Sequence, residues 1–167
     1  MLKKCYPDFC VKSVMELDGN FYDENNIKAI IFDIDNTLVS YKEPEQTQEV
    51  LEYFRFLESK GIKYGIVSNN NAKRVDSFCK NLNIPYAARA LKPRKKYLKK
   101  IASELGVPFE NICFVGDQVF TDILGANRMG FVSVKVVAVG ENETSFVAFK
   151  RIFEKALMNK YHNKNGK

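Results

Sequence analysis

Asp33 and Asp35 stand at the end of an apolar run, in Asp33-Ile34-Asp35-Asn36-Thr37-Leu38. At strand spacing the two carboxylates point to the same side, where like charges repel. Composition alone would yield an Asp-x-Asp-x-Thr pattern only about 0.01 times in such a chain. Three further features close later apolar runs: Ser68 after Gly65-Ile66-Val67, Lys92 before Pro93, and Gly116-Asp117 with Asp122 after Ile112 to Val115. Carboxylates, a hydroxyl and an ammonium gathered at strand ends suit Mg²⁺ and a phosphate, because the ion takes oxygen ligands and shares the substrate's oxygens. The chemistry indicated is phosphoryl transfer.

Positioning these groups requires several strands that end on one edge. Strand-length runs alternate with helical patterns: Lys28 to Asp33 then Pro44 to Lys60, Ile62 to Val67 then Asn71 to Leu82, Ile84 to Ala87 then Arg94 to Leu105. Ile112 to Val115 then Val119 to Met129, and Phe131 to Val139 then Phe146 to Met158, complete five pairs. Such alternation predicts an α/β fold, a mainly parallel five-stranded sheet covered by helices on both faces. Val50, Phe54 and Leu57 recur at helical spacing, Pro44 suits a first turn, and Gly61, Gly106 and Gly130 suit helix ends. Residues 1–26 read as an N-terminal extension with a short helix from Asp8 to Leu17 and a polar turn from Asp18 to Asn26. Residues 27–158 read as the domain, and 159–167 as a flexible basic tail.

The chain has 167 residues, 46% of them hydrophobic, enough to bury one core. No apolar run approaches the roughly 20 residues of a membrane span, and no signal-peptide pattern opens the chain, so a cytoplasmic location is expected. Four cysteines without a CxxC pair and a single His give no zinc spacing, and the cysteines read as buried or incidental thiols. The net charge of +6 is local. Residues 89–100 hold seven cations and no anion, and the seven removed from 26 leave 19 cations against 20 anions. Aromatic residues fall on apolar stripes, so no nucleic-acid platform is expected.

In these motifs the sequence resembles the haloacid dehalogenase (HAD) superfamily, over roughly residues 28 to 140. Leu91-Lys92-Pro93 and the run from Gly116 to Asn127 look like its YqeG-type subfamily IIIA, whose mitochondrial relatives are phosphatidylglycerophosphate phosphatases. The N-terminal Pro7-Asp8 and Val11-Lys12-Ser13-Val14 fit the same subfamily. The resemblance implies a three-layer Rossmannoid fold, with Asp33 as nucleophile forming an aspartyl-phosphate and Asp35 protonating the leaving alcohol, then activating water. It further implies Mg²⁺ held by Asp33, the backbone carbonyl of Asp35 and Asp117, with Asp122 supporting that site. Ser68 and Lys92, with amides near Asn36 and Asn69, would bind the phosphoryl oxygens. Thr37 shapes the loop.

Many superfamily members carry a cap domain, but only Asn36 to Glu43 and Ala88 to Arg94 are available at the two insertion points, so an open crevice is expected. An open site suits a phospholipid headgroup at an anionic membrane surface better than a small free metabolite. Like-charge pairs Lys95/Lys99 and Lys96/Lys100 each weaken a helix by roughly 0.2 to 0.5 kcal/mol, which an anionic surface would offset. A solvated basic face is the alternative. A soluble sugar, nucleotide or phosphoprotein phosphatase, a receiver-like phospho-switch and a binding module also fit the residues, and oligomeric state is not legible.

Overall fold

Ala29-Ile30-Ile31-Phe32 has no polar position because both faces of this strand are covered, and all four residues are buried. Ile30 and Phe32 join one apolar layer with Val50, Phe54, Leu57, Val75 and Phe78. Ala29 and Ile31 join the other, with Leu98, Ile101, Leu105 and Ala126. The chain is thus a three-layer α/β sandwich, seen in a computed structural model that describes residues 2–140 and 153–159.

The strands are β1 (Phe9–Val11), β2 (Ala29–Phe32), β3 (Lys63–Val67), β4 (Tyr86–Ala87), β5 (Ile112–Gly116) and β6 (Val132–Val136). They form one sheet in the order β1-β6-β5-β2-β3-β4, with every pairing parallel. The helices are α1 (Gly19–Glu24), α2 (Gln48–Ser59), α3 (Ala72–Cys79), α4 (Lys95–Leu105) and α5 (Leu124–Met129), and residues 153–159 form α6. Only loops join β2 to α2 and β4 to α4, so no cap domain interrupts the described residues.

Three local expectations are corrected. The segment expected to be a helix from Asp8 to Leu17 instead supplies β1 as a sixth strand, followed by a 3-10 turn at Val14–Glu16. Asp8 fixes it: its carboxylate accepts from Ser133 N and Oγ, both at 2.8 Å, which ties the segment to β6 beyond the reach of local pattern. The polar turn at Asp18 to Asn26 contains α1, whose end is closed by Asp18 Oδ1 accepting from Phe21 N at 3.0 Å. Pro44 precedes rather than opens α2, which starts after Thr47, whose side chain accepts from Val50 N. Of the helix expected from Phe146 to Met158, residues 146–152 lie outside the described residues, as does the tail beyond Asn159.

Candidate active site

After β2 the chain builds outward to β3 and β4, then returns to place β5 on the opposite side of β2. Loops leaving the carboxyl ends of β2 and β5 therefore diverge, and a crevice opens at this switch point. Asp33 leaves β2 with its N–H still bonded to Val115 O at 3.0 Å, and Asp117 leaves β5. Carboxylate oxygens of Asp33, Asp117 and Asp122 all lie within 4.8 Å of one another, and all three residues are buried.

Asp122 reaches the cluster through an irregular turn. Val119–Ile123 winds as a π-helix, with Asp122 N and Ile123 N both donating to Gln118 O. Gly116 makes room for it, since a Cβ there would stand 2.4 Å from Asp122 Cβ. From α6, Glu154 Oε1 accepts from Val119 N at 2.8 Å and Phe120 N at 3.3 Å, satisfying the start of the turn.

Lys92 enters from the loop after β4. Its Nζ lies 2.8 Å from both Asp33 Oδ1 and Asp122 Oδ1, and 5.4 Å from the centre of the Phe114 ring. Asn69 anchors this lysine, with Lys92 N donating to Asn69 Oδ1 at 2.7 Å. Burial disfavours the ammonium, but Asp122 and Asp33 outweigh it and hold the lysine's pKa above its ordinary value. Burial pushes the Asp33 carboxyl up to about 8, Lys92 opposes that rise, and the charges of Asp122 and Asp117 add to it. Three carboxylates thus share one ammonium in a buried pocket, and ionising all three there would leave two negative charges uncompensated. An all-oxygen donor set with that excess fits a hard divalent cation such as Mg²⁺.

The Asp35 carboxylate has different partners. Its Oδ1 accepts from Arg74 Nε at 3.1 Å with Arg74 Nη2 at 3.0 Å, and its Oδ2 accepts from Asn70 Nδ2 at 2.9 Å. The strand periodicity that aligned Asp33 with Asp35 ends at Phe32, and Asn36 takes a left-handed turn at φ 61°. Asn36 N donates to Val39 O at 2.7 Å, its carbonyl accepts from Val139 N at 2.9 Å, and its Oδ1 accepts from Tyr41 N at 3.2 Å. Thr37 Oγ1 donates to Asp117 Oδ1 at 3.4 Å, in line with a loop-shaping role. Ser68 is buried, and its Oγ accepts from Asn70 N at 3.1 Å.

The residues singled out in the sequence thus divide: Asp33, Asp117, Asp122 and Lys92 form one cluster, Asp35 turns to α3, Asn69 touches the cluster through the Lys92 backbone, and the side chains of Asn36 and Ser68 bond within their own loops. Arg74, Asn70 and Glu154 were not legible, because nothing in a lone Arg on a helix or a Glu near the tail marks it locally. Of the four free cysteines Cys5, Cys79 and Cys113 are buried and Cys10 is exposed, and burial pushes the Cys79 thiol up to about 12 and raises Cys113 as well.

A family profile of haloacid dehalogenase-like hydrolases matches residues 41–130. The chain is 37% identical to "Probable phosphatase YqeG" of Bacillus subtilis, over 95% of this chain and 92% of that protein. It is 28% identical to phosphatidylglycerophosphate phosphatase 1, chloroplastic/mitochondrial, of Arabidopsis thaliana, over 95% of this chain but 48% of that protein. Among solved structures, a HAD-superfamily hydrolase from Ehrlichia chaffeensis superposes with a TM-score of 0.56 at 17% identity, covering 77% of this chain and 97% of the other.

Proposed function

Because the chain belongs to the haloacid dehalogenase-like hydrolases, we propose that it is a Mg²⁺-dependent phosphomonoester phosphatase whose substrate is phosphatidylglycerophosphate. The observation that carries the reading is the buried Asp33, Asp117, Asp122 and Lys92 cluster at the switch point of a sheet with no cap. The likeness to the plant lipid phosphatase supports the substrate, and the open crevice suits a headgroup presented by a bilayer. No described helix is long and apolar enough to cross a membrane. The proposed location is peripheral, at the cytoplasmic face.

Asp33, Asp117 and the Asp35 backbone carbonyl would hold Mg²⁺, with Asp122 supporting them through Lys92. The ion supplies charge neutralisation for the crowded carboxylates and the phosphoryl oxygens. Asp33 attacks phosphorus and the bond to the leaving oxygen breaks. Asp35, steadied by Arg74 and Asn70, gives that oxygen its proton. Asp35 then takes a proton from water as the water attacks the aspartyl-phosphate, releasing orthophosphate and restoring Asp33. Lys92 and Ser68, with amides around Asn36 and Asn69, stabilise the phosphoryl charge.

Competition between substrates tests the assignment. Phosphatidylglycerophosphate in vesicles is expected to outcompete soluble phosphomonoesters, and a preference for a sugar or nucleotide phosphate would overturn the lipid assignment while keeping the chemistry.

A further inference from the structure

The rim of the crevice breaks several rules of local stability at one place. Leu91, next to Lys92, is 57% exposed and sits at φ 54°, where an L-residue with a branched side chain is strained and Gly or Asn would be favoured. Neither burial nor backbone preference explains a leucine there. Arg89, also left-handed at φ 48°, precedes it in the chain and Arg94, Lys95 and Lys96 follow it, all exposed. Lys95 and Lys96 occupy the first turn of α4, a place that disfavours cations, and Arg94 provides no side-chain cap.

Other apolar tips share this edge. Tyr41 follows β2 and is 50% exposed, and Val137 follows β6 and is 61% exposed. In sheet order these stand on both sides of the carboxylate cluster, with Leu91 beyond β3 and Val137 beyond β5. The loops are tied to one another: Val139 N bonds Asn36 O, and Arg89 N bonds Asn70 O at 2.8 Å. Lys42 adds a cation beside Tyr41, and Glu43 and Glu45 are the exposed anions of the same loop.

Separated apolar tips among cations do not make the continuous apolar patch that a folded partner requires. They do match a bilayer, which receives each tip independently while anionic headgroups meet the lysines and arginines. Resting on the lipid-monoester reading above, we infer that the carboxyl edge of the sheet docks on an anionic bilayer, with Leu91 inserted below the headgroups and Arg89, Arg94, Lys95 and Lys96 above it. Docking then sets the open crevice against the headgroup plane, a task a cap performs for small substrates elsewhere.

The chain contains no tryptophan, so Leu91→Trp introduces a sole reporter. Its emission is expected to shift to the blue on adding phosphatidylglycerol vesicles and to stay unchanged with phosphatidylcholine vesicles or inorganic phosphate. Leu91→Gly relieves the backbone and removes the side chain, so it folds, and its flotation with phosphatidylglycerol vesicles should weaken about tenfold. Reversing Lys95 and Lys96 to Glu should abolish flotation. An unshifted emission, or Leu91→Gly floating like the wild type, would overturn the inference and leave another face or charge alone as the cause. Asp33→Asn separates the two readings: vesicle binding is expected to persist in it, and a wild type that docks but hydrolyses no phosphomonoester would refute the phosphatase while docking stands.

Discussion

Arg74 holds Asp35 from the first turns of α3, with Nε and Nη2 at 3.1 and 3.0 Å from one carboxylate oxygen. The same guanidinium donates to Pro44 O at 2.8 Å through Nη1, so from α3 it pins the β2–α2 loop at two points, Asp35 and Pro44. A charged, forked group fixes a carboxylate in direction as well as place.

Removing that grip should disorder Asp35, the proposed proton donor, and leave Asp33, the proposed nucleophile, untouched. Arg74→Ala is expected to slow turnover roughly tenfold to a hundredfold for alkyl phosphates, and far less for a nitrophenyl phosphate whose leaving group needs no proton. Steady-state kinetics across leaving groups checks this. Equal losses on every ester would assign Arg74 to substrate binding or folding instead.

Asp33 links the site to stability. Its carboxyl rises from an ordinary 3.8 to about 8 in the fold, so the folded chain prefers the protonated form and loses that preference as pH rises from about 4 through about 8. Without divalent cations, melting temperature should fall across this range in the wild type. Asp33→Asn should flatten the slope, and Mg²⁺ should raise the wild-type melting temperature most at the alkaline end. Parallel slopes in the two proteins would exclude Asp33 as the titrating group.

Gly116 tests the packing that delivers Asp122. A methyl group there meets Asp122 Cβ at 2.4 Å and its carboxyl atoms at 2.5 Å, too close for either to stay. Gly116→Ala is expected to cost about 1 to 3 kcal/mol of stability and to lower activity by displacing Asp122 from Lys92. Denaturant melts and kinetics of the same variant report both effects, and wild-type values for both would contradict the geometry.

Glu154 caps the π turn through two backbone N–H groups. Glu154→Ala leaves those buried donors without the carboxylate and should destabilise the chain by about 1 to 3 kcal/mol, whereas Glu154→Gln should recover much of it. Denaturant titration decides between them.

Strand and helix alternation from Lys28 onward was readable because buried parallel strands leave uninterrupted apolar runs such as Ala29 to Phe32. The common edge was readable for a related reason: parallel strands end on one side, and Asp33, Ser68, Lys92 and Asp117 each follow such an end. What lay hidden depends on distant partners. β1 exists because Asp8 reaches Ser133 across 125 residues, and a three-residue strand has no periodicity of its own. Asp35 departs from Asp33 because the strand stops at Phe32 and Asn36 turns left-handed. Arg74 resembles any cation on a helix until the fold sets it beside Asp35.

The most direct test of the central claim is to quench the enzyme in acid during turnover of a phosphomonoester with Mg²⁺ present, and to map phosphate on its peptides by mass spectrometry. The phosphoryl group is expected on Asp33, transient in the wild type, longer-lived in Asp35→Asn and missing in Asp33→Asn, which should also release no orthophosphate. Orthophosphate release that continues in Asp33→Asn, or a phosphoryl group found only on another residue, would contradict Asp33 as the nucleophile.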